Sequence, residues 1–256
     1  MFIKVKKAKH IYEVYQYERL NLKPIESGDG AEYGESENAD QNYLETVRRR
    51  RETVRDLAVM NFDNSSKFVT LTFRDTDDFD IKDIGDCNHE FKKFIQRLKR
   101  SLPDHELKYL AVIEFQKRGA IHYHMLANLP FIEANRLEQI WRNGFIKINA
   151  IDKVDNLGAY VTKYMTKDKA DDRLRTEKGY FCTKGLDRPE VLKSWDLDLV
   201  SQQDRFMQLA QEIEGLEEAN KKVFRQQYQN TELGLCTYEQ YNANRERGKA
   251  CSKRTK

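Results

Sequence analysis

The chain has 256 residues, a length that can bury the core of one large domain or of two small ones. Charged residues make up 34% of it, hydrophobic residues make up 39%, and 12 glycines and 4 prolines are too few for a collagen-like or Gly/Pro-rich disordered chain. No apolar run of about 18 residues is present, the first segment (MFIKVKKAKH) lacks the apolar stretch of a secretory signal, and the four cysteines form no CxxC pair. These features predict a soluble, reduced, cytoplasmic protein without membrane association.

Charge is unevenly distributed along a chain whose net charge is only +3. Residues 26–45 hold seven acidic side chains and no Lys or Arg, whereas residues 48–55 hold five arginines and residues 245–256 hold six basic side chains. Basic blocks of this kind suit contact with a polyanion such as a nucleic acid, and they equally suit a well-solvated surface. Charge alone leaves both interpretations open.

Hydrophobic periodicity predicts strands and helices that alternate along most of the chain. Residues 11–17 alternate as in a strand, and residues 26–42 have the composition of a mobile loop or linker. The pattern then predicts, in chain order, a basic helix at 44–62, a strand at 67–73, a helix at 89–100, strands at 108–116 and 120–127, a helix at 133–141, a strand at 144–150, a helix from an Asp155 N-cap to Lys167, and a surface helix with an apolar stripe at 206–223.

The β-α-β-β-α-β order within this series predicts an α+β fold. We expect an antiparallel central sheet in a ferredoxin-like or RRM-like core, with the helices mainly on one face, plus helical extensions. The chain would then divide into an N-terminal extension at 1–62 with an acidic loop and a basic helix, a core at 63–193, and a helical C-terminal extension at 194–256 with a basic tail.

A carboxylate and two imidazoles form the first candidate site. His122 and His124 stand two residues apart in a predicted strand, so their side chains project from the same face. A three-residue loop at 117–119 that ends in glycine is a favoured hairpin connection, and it sets Glu114 opposite His122. Two imidazoles and one carboxylate suit a divalent cation that also holds a substrate oxygen. The alternative is a Glu–His ion pair on an exposed sheet face.

Two tyrosines and two lysines form the second candidate site. On a helix, Tyr160 and Tyr164 are one turn apart, as are Lys163 and Lys167. A phenolate can attack phosphorus, but the ordinary phenol pKa of about 10 means that ammonium groups and a metal ion would have to assist. The alternative is aromatic packing by the tyrosines with the lysines facing solvent.

The motifs occur in a defined order along the chain. They are Phe68-Val-Thr-Leu-Thr-Phe73, then Glu114-x-Gln-x-Arg-Gly-x-x-His122-x-His124, then Tyr160-x-x-Lys-Tyr164-x-x-Lys167. In this order they resemble rolling-circle replication initiators of the HUH endonuclease superfamily, and the two-tyrosine pattern resembles its phage and plasmid branch. Residues 180–189 also resemble a segment that follows the tyrosine helix in that branch, so the resemblance covers about residues 45–193 and identifies 63–193 as the endonuclease core.

The resemblance implies a site-specific, metal-dependent endonuclease and ligase that acts on single-stranded or hairpin origin DNA to initiate rolling-circle replication of a plasmid or phage. Mg²⁺ or Mn²⁺ would bind Glu114, His122 and His124. One tyrosine would attack and stay linked to the 5′-phosphate, while Lys163 and Lys167 would offset the charge of the phosphate.

Three further interpretations stay open at this point. An HUH-type transposase, or a non-catalytic DNA-binding regulator on the same scaffold, would carry the same motifs. Because no GxxxxGK[ST] loop is present, we expect a host helicase and a host polymerase as partners. The apolar stripe at 206–223 either recruits the helicase or packs on its own domain.

Overall fold

The computed structural model describes residues 1–20, 39–151, 156–165, 171–196 and 200–245. Within these residues the chain forms ten strands and five α-helices. In chain order they are β1 (Phe2–Ala8), β2 (Ile11–Tyr17), α1 (Ala39–Asn61), β3 (Lys67–Phe73), α2 (Ile84–Ser101), β4 (Tyr109–Phe115), β5 (Ile121–Ala127), α3 (Ala134–Trp141), β6 (Gly144–Ala150), α4 (Leu157–Thr162), β7 (Tyr180–Cys182), β8 (Glu190–Lys193), α5 (Val200–Glu218), β9 (Lys222–Asn230) and β10 (Gly234–Asn242). Among the helices described, none combines the length and apolarity needed to cross a membrane.

The chain divides into two compact units whose limits differ from the three segments expected above. Unit 1 combines residues 1–32 with residues 188–256, and unit 2 comprises residues 33–187. The basic helix α1, expected in an N-terminal extension, therefore belongs to the same unit as the candidate sites. Most of the predicted acidic loop at 26–42 lies outside the described residues, and α1 begins within its last part.

Unit 2 is built on an antiparallel sheet with the strand order β6-β3-β5-β4-β7. The first four of these strands belong to the β-α-β-β-α-β series, and they occur in the order fourth, first, third, second. The predicted α+β class with an antiparallel ferredoxin-like core is thus confirmed. The fifth strand, β7, extends the sheet beside β4.

Both faces of this sheet are covered by helices. The core helices α2 and α3 pack on one face, as expected, because α2 buries an apolar stripe of residues spaced by three and four. Those buried residues are Phe91, Phe94, Ile95 and Leu98. On the opposite face, Val54 and Leu57 of α1 and Val161 of α4 pack against Phe68 and Val112 of the sheet. The expectation of helices mainly on one face therefore holds for the core helices, and α1 and α4 cover part of the other face.

Unit 1 is a second five-stranded antiparallel sheet, with the order β8-β1-β2-β10-β9. Its helix α5 packs on one face, where Leu209 is fully buried against Val5, Val14 and Tyr241. The apolar stripe of α5 thus packs on its own unit, as in the second of the two alternatives for it.

The expectation of a wholly helical C-terminal extension is wrong. The helix ends at Glu218, and Asn220 adopts a left-handed backbone conformation with φ of 56°, which an α-helix cannot continue. The chain then forms the hairpin of β9 and β10, whose turn is followed by Gly234 at a φ of 73°. Val223, expected on the helical stripe, lies in β9, and the basic tail at 246–256 is outside the described residues.

Candidate active site

The hairpin of β4 and β5 has the register that its sequence predicts. Glu114 is opposite His122, and Val112 is opposite His124. The loop closes with a hydrogen bond from the Gly119 amide to the Gln116 carbonyl (2.8 Å), and Gly119 has a φ of 86° that favours glycine. Since directly opposed residues of an antiparallel pair share a face, the Glu114 carboxylate and both imidazoles lie on the same side of the sheet.

His124 is held at both of its ring nitrogens. Its Nε2 lies 2.5 Å from an oxygen of Glu114, and its Nδ1 lies 3.1 Å from the hydroxyl oxygen of Thr70 on the neighbouring strand β3. Thr70 reaches this position because it is directly opposite His124 in the β3–β5 pairing. The residue is 4% exposed, so the orientation of its ring is set by these two contacts and by packing.

His122 presents a buried nitrogen that lacks a hydrogen bond. Its Nε2 is inaccessible to solvent and has no partner within the described residues. Burial lowers the pKa of His122 to about 4, the nearby His124 acts in the same direction, and Glu114 opposes both. The imidazole is therefore neutral at neutral pH. A buried polar atom left without a partner costs free energy, which a bound cation would recover.

The donor set fits a divalent cation in its chemistry and in its facing, but the ligands are not gathered into a preformed cage. The two imidazole ring centroids are 6.5 Å apart. In the described part of the chain, no group of three or more His, Cys, Asp or Glu side chains is positioned to hold a metal ion as it stands. Simultaneous coordination by Glu114, His122 and His124 would require side-chain rotation, and it stays a prediction.

The tyrosine segment forms a shorter helix than its sequence predicts. The side chain of Asn156 caps α4 by accepting a hydrogen bond from a backbone N–H of the first turn (2.9 Å), and α4 ends at Thr162. A 3₁₀ turn follows at Lys163–Met165. The predicted cap Asp155 and the predicted site residue Lys167 both lie outside the described residues.

The two tyrosines lie against the histidine side of the sheet. The ring of Tyr164 stacks on the imidazole of His124, with centroids 3.8 Å apart and planes 25° apart. Phe68 stacks on Tyr164 at 5.2 Å and meets Tyr160 edge-on at 4.9 Å, while the two tyrosine rings are 6.0 Å apart. The structure therefore brings the second candidate site next to the first.

Lys163 lies over both phenol rings. Its Nζ is 3.7 Å from the ring centroid of Tyr160 and 4.8 Å from that of Tyr164. Burial and a hydrogen bond with Tyr164 raise the pKa of Tyr160, whereas the positive charges of Lys163 and Lys147 act to lower it. The ammonium groups thus act in the direction that a phenolate nucleophile requires, but burial outweighs them in the absence of other charges.

A glycine allows α4 to approach α1 closely enough to deliver the tyrosines. A Cβ atom on Gly158 would lie 2.5 Å from the Cγ of Arg55 and 2.7 Å from its carbonyl oxygen. Real Cβ atoms do not approach backbone this closely, so α4 could not pack at this distance with any larger residue.

Comparison with known proteins connects this site to a family. The model of the replication-associated protein family ORF2 matches residues 66–169. This match supports a replication-initiator family. The matched segment runs from the start of β3 past α4, so it includes the candidate ligands and both tyrosines. No curated protein and no solved structure matches the chain.

Sequence reasoning missed two residues of this replication-associated segment. Thr70 contacts His124, and Phe68 packs under both tyrosines. The alternation in β3 already indicates that Phe68 and Thr70 share a face. It does not indicate that β3 pairs with β5, because that pairing joins residues about 50 positions apart in the chain.

Proposed function

We propose that the chain is a site-specific, metal-dependent endonuclease and strand transferase that initiates rolling-circle replication. It would nick and rejoin single-stranded or hairpin origin DNA through a 5′-phosphotyrosine. The observation that carries the proposal is the stacking of Tyr164 on His124, which joins a phenol to a neighbouring imidazole and carboxylate. The match of this segment to a replication-associated family supports the same function.

Glu114, His122 and His124 would hold Mg²⁺ or Mn²⁺, which when bound supplies Lewis-acid polarisation of the scissile phosphate. The residues of the chain would do the rest. Thr70 orients the imidazole of His124, and the ammonium of Lys163 favours the phenolate form of the tyrosines beneath it. The same ammonium would offset the charge that develops on the phosphate, as would Lys167.

In the cleavage step, a tyrosine oxygen forms a bond to the scissile phosphorus, and the bond from phosphorus to the 3′ oxygen breaks. The phenol gives up its proton, and the departing 3′ oxygen gains one, so a free 3′-hydroxyl is left to prime synthesis. Because the phosphodiester energy is retained in the phosphotyrosine, rejoining by attack of a 3′-hydroxyl needs no nucleotide cofactor. Unwinding and synthesis would come from a host helicase and a host polymerase.

The full chain can be tested with single-stranded oligonucleotides that tile the DNA flanking its own coding sequence. With Mn²⁺ or Mg²⁺ we expect one oligonucleotide to give a 5′-labelled product that a polymerase can extend, together with a covalent adduct of the 3′-labelled part. Chelation with EDTA should abolish both products. Tight binding without cleavage under any metal condition would contradict the proposal and favour a non-catalytic regulator. Joining of two separate ends into a new DNA site, without extension, would favour a transposase.

A further inference from the structure

A row of side chains leads from the candidate site to the edge of the sheet. Thr72 on β3 is directly opposite His122 on β5, and on its other side it is directly opposite Phe145 on β6. Opposed residues share a face, so Phe145 lies on the same face as the histidines. Two strand spacings of about 4.8 Å separate the Cα atoms of Phe145 and His122 by about 10 Å.

A second row runs parallel to the first. Thr70 is opposite His124 on one side and opposite Lys147 on the other. Lys147 is exposed, and its charge acts on the phenol of Tyr160. Its ammonium therefore lies between the sheet edge and the tyrosines.

Phe145 is an unusual residue for this position. It is 60% exposed, although most other phenylalanines of the same sheet are buried. The guanidinium of Arg74, also exposed, lies 5.7 Å from its ring centroid. An exposed aromatic ring with a cation on each side, in line with a catalytic site, suits a single strand of nucleic acid, whose bases stack on rings and whose phosphates bind cations.

We propose that Phe145 is a base-stacking platform for the DNA strand beside the nick, with Arg74 and Lys147 binding the phosphates that flank the stacked base. This inference rests on the proposed function, since it takes the scissile phosphate to lie at Glu114, His122 and His124. The distance of about 10 Å corresponds to at most about three nucleotides, because a stacked strand advances about 3.4 Å per nucleotide. Every base has a π-face, so the contact would hold the strand without selecting its sequence.

Binding of DNA can be measured without metal, which separates this contact from cleavage. The two probes are an oligo(dT) of about 20 nucleotides, longer than a typical site, and a base-free oligonucleotide of equal length and charge. In fluorescence anisotropy we expect Phe145→Ala to weaken oligo(dT) binding about tenfold and to leave base-free binding unchanged. Phe131→Ala is the matched control, because Phe131 is 90% exposed in the loop after β5, and it should change neither affinity.

Phe145→Trp provides a direct readout of stacking. We expect it to bind oligo(dT) as the wild type does, with its added tryptophan emission quenched by oligo(dT) and not by the base-free probe. Arg74→Ala and Lys147→Ala should each lower the slope of log affinity against log salt by about one, equally for both probes.

The outcomes distinguish this inference from the function on which it rests. If the wild type binds oligo(dT) and Phe145→Ala binds it equally well, the platform is wrong and the proposed nicking function is unaffected. An unquenched Phe145→Trp would also overturn the platform, even if Phe145→Ala proved unstable. If the wild type binds neither probe, the proposed function itself fails.

Discussion

His124 and Glu114 pose an electrostatic question that their hydrogen-bond partners help to answer. If the Nδ1–H of His124 donates to Thr70, then Nε2 carries a lone pair and faces a carboxylate oxygen 2.5 Å away. Two lone pairs at that distance repel unless a proton or a cation lies between them. Imidazoles that ligate metals usually donate their other N–H to a nearby acceptor. Thr70 is therefore a positioning residue for a cation at this site.

Replacing Thr70 tests this role. We expect Thr70→Val, which keeps the shape but removes the oxygen, to weaken Mn²⁺ binding about 10- to 100-fold, and Thr70→Ser to restore it. Isothermal titration calorimetry measures the affinity, and the unfolding temperature shows that the fold is kept. Thr72→Val, on the same strand and face, serves as the control. Equal Mn²⁺ affinity in Thr70→Val and the wild type would refute the role.

The two tyrosines are not equivalent in their contacts, which raises the question of which one attacks. Tyr164 stacks directly on His124, whereas Tyr160 contacts Phe68 and the second ring. Two phenols this close can take turns, one holding the 5′ end while the other attacks a regenerated origin. The alternative is one nucleophile and one packing residue.

Tyr→Phe variants decide between these alternatives, because Phe preserves packing and removes the nucleophilic oxygen. If the tyrosines alternate, Tyr160→Phe and Tyr164→Phe each still form a covalent DNA adduct, and the double variant forms none. The adduct is measured on denaturing gels with 3′-labelled DNA. Alternation is wrong if one single variant is inactive while the other sustains repeated rounds as the wild type does.

The position of the tyrosine helix α4 depends on its contact with α1. The two helices meet at Gly158, where a side chain would collide with the backbone of Arg55. Alanine in place of a helical glycine gains about 0.5–1 kcal/mol in conformational entropy, whereas overpacking costs about 1–3 kcal/mol. Overpacking therefore dominates at this site, and its relief would move α4 and both tyrosines away from the sheet.

Gly158→Ala is expected to lower the stability of unit 2 by about 1–2 kcal/mol and to reduce nicking more than DNA binding. Urea unfolding monitored by the buried Trp141, in a Trp195→Phe background, measures the stability of this unit. Gly215→Ala is the control, because a Cβ atom on this glycine of α5 would meet no other atom within 4 Å, so the substitution should be neutral or stabilising. Full nicking activity in Gly158→Ala would show that α4 tolerates displacement.

At the scale of the whole molecule, unit 1 joins the two ends of the chain. Strands β1 and β2 come from the first 20 residues, and β8 to β10 come from residues beyond 188. Glu13 of β2 connects them, because it bonds to buried Lys6 of β1 (2.6 Å) and accepts hydrogen bonds from Tyr238 (2.7 Å) and Gln240 (3.2 Å) of β10. This buried acid holds N-terminal and C-terminal strands in one sheet.

Removing the acid should loosen unit 1. Glu13→Leu leaves the ammonium of Lys6 buried without its carboxylate, and breaking such a pair costs about 3–5 kcal/mol. Adding Lys6→Met should restore part of that stability, because the uncompensated charge is then removed. Emission of Trp195 in a Trp141→Phe background reports the unfolding of this unit. A single variant as stable as the wild type would mean that the pair contributes nothing to the sheet.

The sequence by itself determined the features that depend on neighbours along the chain. The period-2 alternation and the glycine of the 117–119 loop specify the hairpin register, and with it the shared face of Glu114, His122 and His124. The order of elements likewise indicates the α+β core. These inferences succeed because hairpin turns and helical stripes are formed by residues close in sequence.

Only the tertiary structure decided which distant segments meet. The pairing of β3 with β5 and β6 brings Thr70 to His124 and Phe145 into line with His122. The assembly of unit 1 from both chain ends likewise joins segments that the sequence analysis assigned to separate extensions. Such pairings depend on which apolar faces bury one another across long loops, and the local pattern of a strand is the same whichever neighbour it receives.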